Sequence, residues 1–189
     1  VVVGPPRSGR TTTLETLIHQ LHAEHDVYAV GPASSRLAAS ISSGSDVDVA
    51  CGRAESVLPV LDRLANRLEM GAGRRHPVLL IDDIDAIDDP ALASVWERLT
   101  SNDELRVVAS LESRSMAGFT TNPMITVLRR SRQMLVLQPD DPGEFLQVTG
   151  VRAPQRPGIQ WVAGRGVLLA DRMPQVVQVA VVDDAAQSD

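Results

Sequence analysis

A chain of 189 residues, 43% hydrophobic and 22% charged, has the size and composition of one globular domain with a sizeable core. No apolar run approaches the ~20 residues of a membrane span. The net charge of −6 disfavours non-specific DNA binding over the whole surface, although a local basic stripe is compatible with it. Cys51 is the only cysteine, which excludes an internal disulfide or a cysteine-based zinc site and points to a reducing compartment.

Val1–Val3 reads as the end of a buried strand. A chain that begins inside a strand is expected to be one domain, residues 1–189, cut from a longer protein. Gly4 to Thr11 is a loop rich in Gly, Pro and Ser. Leu14, Leu17, Ile18 and Leu21 then line one face of a helix. Val27–Val30 is a short strand ended by Gly31-Pro32. Residues 33–53, rich in Ser, Ala and Gly, predict a loop around a weak helix and a short strand near Val47–Val49. Leu58, Leu61, Leu64, Ala65 and Leu68 mark a second amphipathic helix, stopped by Gly71 and Gly73.

Pro77–Asp82 is a buried strand. Asp89-Pro90 starts another helix, with Asp as N-cap and Pro at the first helical position. Arg106–Ser110 is another strand. Residues 111–132 read as helix or loop, Gln133–Gln138 as a strand, and 139–165 as irregular. Val167–Leu169 and Val176–Val182 form a terminal hairpin around Asp171-Arg172-Met173-Pro174. Strands alternating with helices predict an α/β domain of three layers: a mostly parallel sheet, helices on both faces and a C-terminal hairpin.

The loop Gly4-Pro5-Pro6-Arg7-Ser8-Gly9-Arg10-Thr11 matches the phosphate-loop pattern G-x-x-x-x-G-K-[ST] at every fixed position but one. The glycines let backbone N–H groups face phosphate oxygens, and the following helix points its positive end at the same anion. This assigns ATP binding to Gly4 through Thr12, with Thr11 on Mg²⁺. The departure is Arg10. All 18 basic residues are Arg, but a planar guanidinium does not replace a compact ammonium conservatively. Arg10 is expected still to attract phosphate while misplacing the γ-group and slowing hydrolysis.

Val78-Leu79-Leu80-Ile81-Asp82-Asp83 is an apolar strand ending in two carboxylates. Such a strand delivers an Asp to the Mg²⁺ shell, here Asp82. The next carboxylate, Asp83, is the candidate that orients or deprotonates the attacking water. It is one methylene shorter than the Glu that many motors place there. Ser110 either senses the γ-phosphate or simply ends its strand. His19, His22 and His25 lack a carboxylate or thiol to complete a metal set and read as a solvated helix face. Arg129, Arg130 and Arg132 could supply a finger to a neighbour's nucleotide, contact a polyanion or partner, or form a solvated helix end. Aromatic residues are only 3% of the chain, which argues against stacking on single-stranded nucleic acid.

The loop Val3–Thr12, the strand Val78–Asp83, Leu128-Arg129-Arg130-Ser131-Arg132 and the tail Gly164-Arg165-Gly166-Val167-Leu168-Leu169 with Val176-Val177-Gln178-Val179-Ala180 together resemble the FtsK/SpoIIIE ATPase family. The match is most similar to copies in actinobacterial type VII secretion EccC-like and FHA-linked proteins. Ala163 stands where the family has Pro. The resemblance implies a RecA-like P-loop NTPase core using ATP and Mg²⁺, working in a ring or tandem array with other ATPase domains. It implies DNA or a secreted protein as cargo and a cytoplasmic location, with a parent chain anchored at the membrane. Some family copies have degenerate ATP sites that serve binding or regulation. Arg10 and Asp83 point to weakened hydrolysis of that kind, or to a nucleotide-binding module without turnover.

Overall fold

A strand whose residues are all apolar must bury both of its faces, and Pro77–Ile81 does so at every position. The computed structural model describes residues 1–41, 46–71, 75–87, 89–139, 141–154, 159–171 and 173–180. In chain order the elements are β1 (Val2–Val3), α1 (Arg10–Leu21), β2 (Asp26–Gly31), α2 (Leu37–Ser40), β3 (Asp48–Cys51), α3 (Ala54–Glu69), β4 (Pro77–Ile81), α4 (Ala93–Thr100) and β5 (Arg106–Leu111). They continue with α5 (Ser113–Ala117), α6 (Pro123–Leu128), β6 (Gln133–Leu137), α7 (Pro142–Thr149), β7 (Arg165–Ala170) and β8 (Met173–Gln178).

The strands form one sheet in the order β3-β2-β4-β5-β1-β6-β7-β8. β3 through β6 in that order run parallel, and β7 and β8 continue antiparallel as a hairpin. Alternation along each strand builds two cores. Val78 and Leu80 of β4 pack with Leu14 and Ile18 of α1 and Leu37 of α2. Leu79 and Ile81 pack on the opposite face with α3, α4, α6 and Phe145 of α7. Leu61, Leu64, Leu79 and Leu80 are fully buried, each stabilising by roughly 1.5–3 kcal/mol through removal from water. The layers are those the sequence predicts.

Three expectations need correction. Residues 139–165 are not irregular throughout, because Pro142–Thr149 is a helix. Asp141 caps it through Oδ1, accepting from the Gly143 N–H at 2.7 Å, and Gly150 ends it at φ 68°. Asp89 is an N-cap as expected, accepting from the Ala91 N–H at 2.9 Å. However, Pro90–Leu92 is a 3-10 turn and the α-helix starts at Ala93. In the hairpin, Met173 and Pro174 belong to the second strand, opposite Ala170 and Leu169. Pro174 is tolerated there because β8 is an edge, where an N–H is dispensable. Gly73, Arg172 and residues 181–182 lie outside the described residues.

The strand order places β5 between β1 and β4. The carboxyl ends of the parallel strands therefore present three segments along one edge of the sheet: the loop after β1, the acidic pair after β4 and Ser110 near the end of β5. Ligands of parallel sheets bind along such an edge.

Candidate nucleotide site

The loop after β1 folds back on itself under tight steric limits. A Cβ at Gly4 would lie 2.6 Å from Ser8 Oγ and 3.0 Å from the Leu137 carbonyl. Gly9 takes φ 100°, a left-handed conformation that favours glycine. Pro5, Pro6 and Arg7 are exposed, whereas Ser8 is fully buried and its hydroxyl has no partner among the described residues. α1 then begins at Arg10 with no side-chain cap and no acidic residue in its first turn. A bare helix N-terminus has free N–H groups and the positive end of the helix dipole, so a phosphate fits it.

The fold brings Thr11 and Asp82 together. Thr11 Oγ1 donates to Asp82 Oδ2 at 2.9 Å. Asp82 is 1% exposed, and Ser110 Oγ also donates to its Oδ1 at 2.8 Å. Ser110 in turn accepts from the Asp83 N–H at 2.8 Å. The hydroxyl is thus a joint between the two acidic residues, one position before the end of β5. A third donor is Ser35, after β2, whose Oγ lies 2.7 Å from Asp82 Oδ2. Carboxylate and hydroxyl oxygens are the ligand chemistry that suits Mg²⁺, so Thr11 and Asp82 fit a cation here. Sequence reasoning missed Ser35. The only local signal is Gly31, where a Cβ would fall 2.9 Å from the Ser35 Cβ and 3.2 Å from that of Asp82.

Arg10 is 8% exposed. Its guanidinium donates to the Gly4 carbonyl through Nη1 and to Asp83 Oδ1 through Nη2 at 2.7 Å. Asp83 sits at φ 43°, ψ 58°, which turns its side chain off the strand line. Burial pushes the Asp83 carboxyl above its ordinary value, Arg10 opposes the shift, and the neighbouring charges of Asp82 and Asp85 add to it. The two residues that the sequence marked as departures from a hydrolytic site are therefore bonded to each other.

The C-terminal hairpin completes the loop's surroundings. The Gly164 N–H donates to the Ser8 carbonyl at 2.7 Å, and a Cβ at Gly9 would lie 3.0 Å from the Gly164 nitrogen. Thr16 Oγ1 donates to the Ala180 carbonyl at 2.8 Å. Sequence reasoning did not connect this tail with the phosphate loop. Arg129 turns inward to the carbonyls of Ser115 and Gly118, so a finger role does not suit it, while Arg130 and Arg132 are exposed. His19 and His22 meet edge to face at 6.5 Å. Among the described residues, no group of three metal-binding side chains forms. No helix among them is long and apolar enough to cross a membrane.

Residues 1–114 match the family model of an AAA domain. Among solved structures, the chain is similar to EssC (ATPases 2 and 3) from Geobacillus thermodenitrificans, with a TM-score of 0.69 at 15% identity over 96% of this chain and 36% of that one. It is similar to the DNA-packaging ATPase from Sulfolobus Turreted Icosahedral Virus, with a TM-score of 0.55 at 13% identity over 93% and 94%. It is also similar to VirB4 of Thermoanaerobacter pseudethanolicus, with a TM-score of 0.51 at 13% identity over 79% and 47%. The chain spans about a third of the EssC chain's length. No curated protein matches it. The phosphate loop, the acidic strand and the strand between them all fall within the matched residues, and the chain belongs to the AAA domain family, built on a RecA-like P-loop NTPase fold.

Proposed function

We propose that this domain binds ATP with Mg²⁺ as part of an FtsK/SpoIIIE-type translocation assembly, and that its own hydrolysis is weakened. The observation that carries the reading is the Arg10–Asp83 ion pair at 2.7 Å. Gly4 through Thr12 offer the phosphate cradle, and Thr11 and Asp82 are the cation ligands. A cation held by Thr11 and Asp82 would supply neutralisation of the phosphate charge. Arg10 must leave Asp83 to face a phosphate. Asp83 must leave Arg10 before it can orient a water, and its short side chain lengthens that reach.

The similarity to EssC and the tail Gly164–Leu169 support a type VII secretion setting. There the domain works in tandem or in a ring with other ATPase domains at the cytoplasmic face of a membrane-anchored parent. The net charge of −6 favours a secreted protein over DNA as cargo. The closed ion pair also supports a second reading, a regulatory module that holds nucleotide without turnover.

Steady-state ATPase assays with and without DNA separate these readings. Wild type should turn over slowly but above Thr11→Ala. Arg10→Lys should be about tenfold faster, equal to ~1.4 kcal/mol of barrier, because a shorter ammonium releases Asp83. Wild-type turnover equal to that of Thr11→Ala selects the regulatory module. Strong stimulation by DNA would select DNA as cargo, and failure to bind ATP or ADP at millimolar concentration removes both readings.

A further inference from the structure

Ser35 lies on a different strand end from every residue assigned above, yet it touches the cation ligand. Its backbone N–H donates to the Pro32 carbonyl at 2.9 Å, a turn that fixes the side chain over Asp82. Its Oγ donates to Asp82 Oδ2 at 2.7 Å, the shortest hydrogen bond that Asp82 accepts from a side chain, against 2.8 Å from Ser110 and 2.9 Å from Thr11. The same hydroxyl accepts from the Leu37 N–H at 3.3 Å, which fixes the direction of its proton. Gly31 leaves the space this approach needs.

Asp82 is an almost fully buried carboxylate that forms no ion pair among the described residues, because the nearby guanidinium of Arg10 is bonded to Asp83. Three hydroxyls therefore stabilise its charge and set its rotation. A hydroxyl has one proton to donate. Thr11 gives its proton to Asp82 and keeps its lone pairs for a cation. Ser110 is anchored by the Asp83 N–H and holds Oδ1, whereas Ser35 holds Oδ2. Without Ser35 the carboxylate keeps only Thr11 on that oxygen, and Thr11 is itself a cation ligand.

We propose that Ser35 is a positioning residue of the cation site. It fixes the rotation of Asp82, and through the Leu37 N–H it ties the site to the start of α2. The proposal rests on the nucleotide reading above and adds to it a residue on β2's strand end that acts on the cation rather than on the phosphates.

The test uses Mn²⁺ as the probe, titrated by electron paramagnetic resonance into the whole chain saturated with ADP, alongside ADP affinity measured in excess chelator. Ser35→Ala is expected to weaken Mn²⁺ about tenfold and to leave chelator-phase ADP affinity within twofold of wild type. Ser35→Thr, which restores the hydroxyl, is expected to recover most of the Mn²⁺ affinity. Circular dichroism establishes that each variant is folded. Unchanged Mn²⁺ affinity in folded Ser35→Ala overturns the proposal, and so does an equal loss in both phases. No rescue by Ser35→Thr together with lost ADP affinity shows a merely structural role and also overturns it. A wild-type chain that binds no ADP in either phase overturns the nucleotide reading itself, an outcome seen before any variant is compared.

Discussion

Asp83 is held between opposing influences. Burial and two neighbouring carboxylates disfavour its charge, while Arg10 favours it, and the net direction is upward from 3.8. A carboxyl whose folded pKa is raised contributes stability that is fully present below its unfolded value. That stability is lost as pH rises through the folded value. The stability of wild type relative to Asp83→Asn should therefore fall as pH rises across that window. Urea unfolding of both proteins at a series of pH values measures it. A difference that stays flat or grows with pH would mean that Arg10, not burial, dominates. The residue scale thus gives the ion pair two consequences, one on turnover and one on stability.

At the scale of elements, one local device recurs. Asp89-Pro90, Asn122-Pro123 and Asp141-Pro142 each place a capping side chain before a Pro at a helix start. The Pro lacks an N–H that would be unsatisfied there anyway. The long amphipathic helices were legible because their apolar spacing is repeated over several turns. α7 was not, although it carries the same start signal, because Phe145 is its one buried residue and a single contact makes no periodic pattern. Likewise the phosphate loop and the Asp82–Asp83 pair were legible from their fixed spacing. Ser35 and Gly164 were not, since only the sheet order and the folded hairpin bring them to the site. The hairpin also carries a close contact of its own. A Cβ at Gly166 would come nearer to the Val136 carbonyl than real Cβ atoms do. Gly166→Ala should cost about 2–3 kcal/mol through forced backbone shifts. Thermal unfolding checks this, with a fall of about 4–12 °C expected for a domain of this size. An unchanged melting temperature would mean that β6 and β7 separate freely.

For the whole molecule, a ligand that binds only the folded state stabilises it by mass action. Mg²⁺–ATP at one hundred times its dissociation constant contributes about 2.7 kcal/mol, equivalent to about 5–11 °C in melting temperature. A thermal scan with and without Mg²⁺–ATP should show that rise, and Thr11→Ala should blunt it. No rise at millimolar nucleotide would leave the bare N-terminus of α1 without its expected anion. The two cores on either face of the sheet make the domain respond as a unit, since β4 contributes alternate residues to both.

The bond from the Gly164 N–H to the Ser8 carbonyl also bears on how the protein is made. A ribosome releases the phosphate loop before its partners, since β1 pairs with β5 and β6 and the loop's outer contact comes from residue 164. At ~5–20 residues per second of synthesis, roughly 10–30 s separate the emergence of the loop from that of Gly164. Until β5 and β6 have been made within that interval, Val2 and Val3 have no neighbouring strand. The nascent chain must therefore keep an apolar strand from pairing elsewhere until β5 and β6 arrive, and its nucleotide loop is finished only once Gly164 has been made.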